Sequence, residues 1–146
     1  MSENAHYLHD LIDITRDGTE FYEEAAKAVP DKKLSRVFTD LAKAKTALAD
    51  NMTPELKPDG RGKANPMELR DEVMQTYEGV RAGFKSVGSA QITALEQTES
   101  QIQVSLQKVV MDRDHSFVVR VLAKQYVHAA EALKAELRSR KRTMQA

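Results

Sequence analysis

The chain has 146 residues with 22 basic and 22 acidic side chains, so its formal charge is zero and no global field draws it to nucleic acid or anionic lipid. Hydrophobic residues make up 41% and charged residues 30%, which excludes a disordered chain and predicts one soluble domain, residues 1–146, large enough to bury a core. Cysteine is absent, which removes disulfides, thiolate metal sites and cysteine nucleophiles together.

The spacing predicts a first helix from Ala5 to Ala28 with Asn4 as its cap. Tyr7, Leu8, Leu11, Ile14, Thr15, Gly18, Phe21, Tyr22, Ala25 and Ala26 form its apolar stripe. A glycine within such a stripe costs about 1 kcal/mol of helix propensity; Gly18 therefore predicts close approach of a neighbouring helix. The opening MSENAHYLHDLIDI is acidic and lacks a basic-then-apolar signal pattern, which predicts a cytoplasmic protein. Val29-Pro30-Asp31 breaks the helix and places Asp31 to cap the next.

A second helix is expected from Lys32 to Asn51, with Leu34, Val37, Phe38, Leu41, Ala44, Leu48 and Met52 inward and Lys45 intruding on the same face. Residues 53–65, TPELKPDGRGKAN, hold two of the four prolines and two of the six glycines, and form the long connection. Gly60 and Gly62 lack the spacing of a phosphate loop. An additional helix over 66–87 opens with Asn65 and Pro66, carries Leu69, Val73, Tyr77, Val80, Phe84 and Val87, and stops at Gly88.

Ser89 is placed to cap a fourth helix, Ala90 to Met111, whose stripe is Ile92, Leu95, Ile102, Leu106 and Val109 with Glu99 near the middle. The fifth, Ser116 to Arg142, shows a stripe of Val118, Val121, Leu122, Gln125, His128, Ala129 and Ala132. Its basic end, Arg138 to Arg142, complements the helix dipole and is not read as a nucleic-acid patch. No run reaches the roughly 18 apolar residues of a membrane span. The fold class is all-α: an antiparallel bundle of the first, second, fourth and fifth helices, with the third added after the long connection.

Helical phase thus turns four polar side chains inward: Lys45, Glu99, Gln125 and His128. Taken singly, Lys45 would lay its stem on the core and reach water with its ammonium. Taken together, the four make a buried network in which Lys45 neutralises Glu99, since buried charges are normally paired. The competing reading is a mononuclear metal site of Glu99 and His128, with Gln125 and water completing the ligands. His6, His9, Asp10 and Asp13 also share a helix face, but one predicted to be solvated. Tyr22, Tyr77 and Tyr126 are expected at the core edge with wet hydroxyls. No nucleophile, base and orienting group stand together, so enzymatic acid–base chemistry is not expected.

The segments LxDLIxITRDGxEFYEEAA (from Leu8 to Ala26), ALEQTES (from Ala94 to Ser100) and QYVH (from Gln125 to His128) resemble the DUF2383 group, four-helix-bundle proteins within the broader ferritin-like superfamily. The resemblance implies a ferritin-like fold more than an activity. Ferritin-like dimetal sites take a Glu from each of two helices and a Glu-x-x-His pair from each of the other two. Here Glu99 and His128 match such positions, Gln125 stands where a Glu is required, and the second helix has no Glu-x-x-His. The resemblance therefore implies a degenerate metal site replaced by the polar network in a non-enzymatic bundle, or a metal-binding or oxidase-type protein with a reduced Glu99/His128 site for iron, manganese or zinc. It also implies a homo-oligomer, while the non-enzymatic reading leaves the surface to meet a protein partner.

Overall fold

The computed structural model describes residues 2–56 and 67–145. Within them the chain forms α1 (Ser2–Ala28), α2 (Lys32–Met52), α3 (Met67–Arg81), α4 (Ser89–Met111) and α5 (Phe117–Gln145), with short 3₁₀ turns at Thr53–Glu55 and Phe84–Ser86. No strand occurs among the described residues, so the fold is all-α as expected. The expected cap Asn65, the expected first helical residue Pro66 and most of the long connection lie outside the described residues. Asn4, expected as a cap, lies inside α1.

Local chemistry sets the other boundaries. Asp31 ends the break after α1 and its Oδ1 accepts from the Lys33 and Leu34 amides at 2.9 and 3.0 Å, satisfying donors that a helix start otherwise leaves bare. The helix expected over 66–87 ends earlier, at Arg81. Gly83, a poor helix former, closes a tighter turn onto the Val80 carbonyl at 3.0 Å, and that turn swings Phe84 to within 5.7 Å of the Phe21 ring. Ser89 begins α4 instead of capping it; Gly88 is the cap, and its N–H donates to Gln91 Oε1 at 2.9 Å.

Cross-helix pairs give the directions. Thr19 with Thr46 and Arg16 with Asp50 make α1 and α2 antiparallel. Asp31 with Arg140 and Lys45 with Tyr126 make α2 and α5 antiparallel. Glu96 with Arg138, Ser100 with Lys134 and Gln103 with Glu131 do the same for α4 and α5. The ring of α1, α2, α5 and α4 leaves a seam between α1 and α4, and α3 fills it by packing on both. Arg70–Asp17 at 3.0 Å and Arg81–Glu24 at 2.8 Å set α3 parallel to α1. Two acids on the outer side of α1, Asp17 and Glu24, thus become the handles that hold α3.

The inward stripes of α2 and α4 are buried as expected, including Leu34, Phe38, Leu41, Leu48, Ile92, Leu95, Ile102 and Leu106. Each such side chain contributes roughly 1.5–3 kcal/mol over leaving it in water. On α5 the buried face is Val119, Ala123, Tyr126, Ala130, Leu133 and Leu137. The expected face is wrong by about one residue: Gln125, His128 and Ala132 are exposed and Val118 is 48% exposed. Tyr126, Leu133 and Leu137 remove more apolar area from water than the alanines of the other face, and this decides the rotation of the helix. No helix among the described residues is long and apolar enough to cross a membrane.

Candidate functional site: a buried ammonium–carboxylate–phenol cluster

Each of the five helices sends one polar side chain to a single point in the core. Lys45 comes from α2 and Glu99 from α4, with 0% and 1% of their side chains exposed. Lys45 Nζ donates to Glu99 Oε1 at 2.6 Å and to the Tyr126 hydroxyl at 2.8 Å. The second oxygen, Glu99 Oε2, accepts from Tyr22 at 2.8 Å and from Tyr77 at 3.0 Å. The Tyr126 hydroxyl also reaches Glu99 Oε1 at 3.5 Å, closing a loop of donors around one carboxylate.

Sequence phase brings these groups inward. Tyr22 sits one turn beyond Gly18 on the α1 stripe, and Tyr77 one turn beyond Val73 on α3. Gly18 is the close approach expected of it: a Cβ there would lie 2.7 Å from Lys45 Cδ and 3.0 Å from the Tyr77 hydroxyl. The glycine leaves the channel through which the lysine stem crosses to Glu99. Around the polar point lies an aromatic shell, in which Phe21 stacks on Tyr77 at 4.3 Å and Tyr22 meets Phe38 at 5.5 Å.

The electrostatics follow from burial around one charge pair. Burial alone would lower the Lys45 pKa, but the Glu99 carboxylate outweighs it and holds the ammonium above the ordinary lysine value. Tyr22 and Tyr77 are raised well above the usual phenol value, first by burial and then by the Glu99 charge. Tyr126 is raised by burial to about 12, with the facing Lys45 ammonium acting in the opposite sense. All three phenols are therefore held as neutral donors rather than as phenolate bases or ligands.

Of the four residues expected to form the network, Lys45 and Glu99 meet and Gln125 and His128 do not. Gln125 is exposed beside a slot of about 120 Å³ between α2 and α5, which Ala44, Leu48, Leu122 and Tyr126 also line. His128 is exposed on α5, about 200° around the helix from Tyr126 at roughly 100° per residue. The three tyrosines, expected at the core edge with wet hydroxyls, are instead buried and are the partners that the network lacked. The signal that identifies them is a phenol in the same phase as an inward charge. Along the other expected face, His9 is buried and Asp10 and Asp13 are half-buried, so that face is not fully solvated; the His6 side chain lies outside the described residues. Among the described residues, no three His, Cys, Asp or Glu side chains converge as a metal would require. The basic end of α5 is engaged with acids: Arg138 and Lys141 hold Glu96 at 3.0 and 2.8 Å, and Arg140 approaches Asp31 at 3.7 Å.

Residues 3–112 match DUF2383, a domain of unknown function. No curated protein and no solved structure matches the chain. The matched stretch spans α1 to α4 with Tyr22, Lys45, Tyr77 and Glu99, whereas Tyr126 and the rest of α5 follow it. With most of its length matched, the chain belongs to the DUF2383 family.

Proposed function

We propose that this DUF2383 protein is a non-enzymatic helical bundle that needs no cofactor, and that its buried cluster stands where ferritin-like bundles hold metal. In this reading Lys45 is a built-in cation. The single observation that carries it is the Lys45 Nζ to Glu99 Oε1 distance of 2.6 Å, with both groups withdrawn from solvent. Iron, manganese or zinc would have to displace that ammonium and would find one carboxylate among neutral phenols, a poor donor set for a divalent ion. A reduced Glu99/His128 site loses its second ligand, because His128 is exposed on α5.

With its centre closed in this way, the protein acts through its surface, as a cytoplasmic homo-oligomer or by binding a protein partner. The core cluster then fixes how the helices meet; buried ionic groups can specify register at some cost in stability.

A double-mutant cycle in urea tests the structural role of the pair. Lys45→Met leaves the Glu99 carboxylate buried without its cation, and losing one partner of a buried pair costs about 3–5 kcal/mol. Adding Glu99→Gln removes the stranded charge while keeping an acceptor for Tyr22 and Tyr77. The expected outcome is a double variant less destabilised than the sum of the single ones, with a coupling of about 1–3 kcal/mol. Strict additivity would show that the two side chains do not act as a pair.

A further inference from the structure

We infer that the outer face of α5 is the surface on which a second copy of this chain docks, with the two α5 helices antiparallel across a two-fold axis. This rests on the reading that the protein acts through its surface, and it names the face and the partner. The exposed large hydrophobic side chains among the described residues, Val104, Met111, Phe117 and Val118, all lie on α4 and α5. Their gathering on two adjacent helices marks a contact surface, as scattered single residues would not.

The face on α5 is built as a helix seam. Val118, Val121, Gln125, His128, Ala132 and Ala135 follow one another at alternating spacings of three and four, with no Asp, Glu, Lys or Arg among them. Uncharged residues in that alternation are the pattern by which one helix packs along another. Gln125, His128, Ala132 and Ala135 are exposed, Val118 is 48% exposed and Val121 is half-buried. At roughly 100° per residue the seam lies about 150° round the helix from the buried face of Val119, Ala123 and Tyr126. Its own bundle therefore leaves it facing water.

The seam is complementary to its own reverse, which an isologous interface requires. Antiparallel pairing centred between Tyr126 and Val127 sets Val118 against the partner's Ala135 and Val121 against the partner's Ala132, so a larger side chain meets a smaller one in each layer. At the centre, the Gln125 amide can donate to the partner's His128 imidazole. A polar layer of this kind fixes register and copy number at some cost in affinity. On the flank, Lys124 falls beside the partner's Glu131, and the two-fold axis makes that pair twice. Lys124 has no carboxylate partner among the described residues; Glu131 is 65% exposed, and its contacts to Gln103 and Lys134 both use Oε2. Within one chain Lys124 and Glu131 stand seven residues apart, about 10.5 Å along the axis and too far to pair. Parallel pairing would instead bring Glu131 towards the partner's Glu136, like charge on like. A seam of about 26 Å between single helices belongs to the smaller interfaces, so the dimer is reversible.

Sedimentation equilibrium of the full chain over a series of concentrations tests the surface. The expected result is a reversible monomer–dimer equilibrium. Ala132→Arg puts a cation into the seam at an exposed position, and should give a monomer whose helix content by circular dichroism equals that of the parent. Lys124→Glu should weaken the dimer about tenfold, because two symmetry-related attractions become repulsions. Lys124→Glu/Glu131→Lys should restore it, a rescue that only contact between two chains can produce. A parent that stays monomeric at every concentration would overturn both the surface and the homo-oligomer version of the functional reading, leaving the face to a different protein. A dimer that Ala132→Arg leaves intact, or one that the charge swap fails to restore, would overturn the antiparallel seam alone, since the copies would then meet elsewhere.

Discussion

Lys45 reaches Glu99 only because the residue beside its stem has no side chain. Gly18→Ala would add a Cβ 2.7 Å from Lys45 Cδ, so either the lysine or α1 must move. Overpacking of this kind costs about 1–3 kcal/mol, against about 1 kcal/mol of helix propensity regained. A net loss of stability is expected in urea unfolding; a stabilised Gly18→Ala would show that the stem does not run past that position. The phenols give a second test at this scale. Because the folded state raises the pKa of Tyr22, Tyr77 and Tyr126, it favours their protonated forms. Their contribution is complete below the unfolded value of 10.0 and is lost as pH rises towards the folded values, about 12 for Tyr126. Between pH 10.0 and about 12, tyrosinate absorbance of the folded protein should stay well below that of the urea-unfolded chain. Coincident curves would mean that the hydroxyls are wet. The Lys45–Glu99 pairing was legible in the sequence, because each residue breaks an otherwise apolar helical stripe. The phenols were not, since tyrosine is amphipathic and its phase alone does not say whether the hydroxyl meets water or a charge.

At the scale of elements, the breakers and stripes marked α2 and α4 closely, because bulky aliphatic residues recur there at helical spacing and leave no second face. The fifth helix was harder. Its run VVRVLAKQYVHAAEALKAEL offers two apolar phases built largely from alanine, and the one containing Val118, Leu122 and Ala129 is contiguous over its first half. Only Leu133 and Leu137, farther along, fix the phase that puts Tyr126 inside and turns Gln125 and His128 out. The early end of α3 depended on Phe84 meeting Phe21, a tertiary contact that helical periodicity cannot show. Asp31 is the element-scale residue most exposed to test, for it caps α2 and approaches Arg140 of α5. Asp31→Ala should destabilise the protein by about 1 kcal/mol, the usual cost of a lost N-cap. Thermal and urea midpoints unchanged from the parent would show that neither role matters.

For the whole molecule, one hydrophobic core is organised about a polar point to which α1, α2, α3, α4 and α5 each contribute one side chain. The sequence showed long amphipathic helices, but not that α3 would fill the seam between α1 and α4, because a helix's phase does not name its neighbours. Filling that seam places Tyr77 on Glu99 and uses Asp17 and Glu24 to hold the added helix. In the proposed reading, the ammonium on the carboxylate takes the place of a metal ion. The most direct test is metal content after the purified, untagged protein has been equilibrated with iron(II), manganese(II) or zinc(II) and desalted, beside Glu99→Gln. The expected result is no stoichiometric metal in either protein. One metal per chain in the parent that disappears in Glu99→Gln would contradict the built-in cation and make the cluster a metal centre.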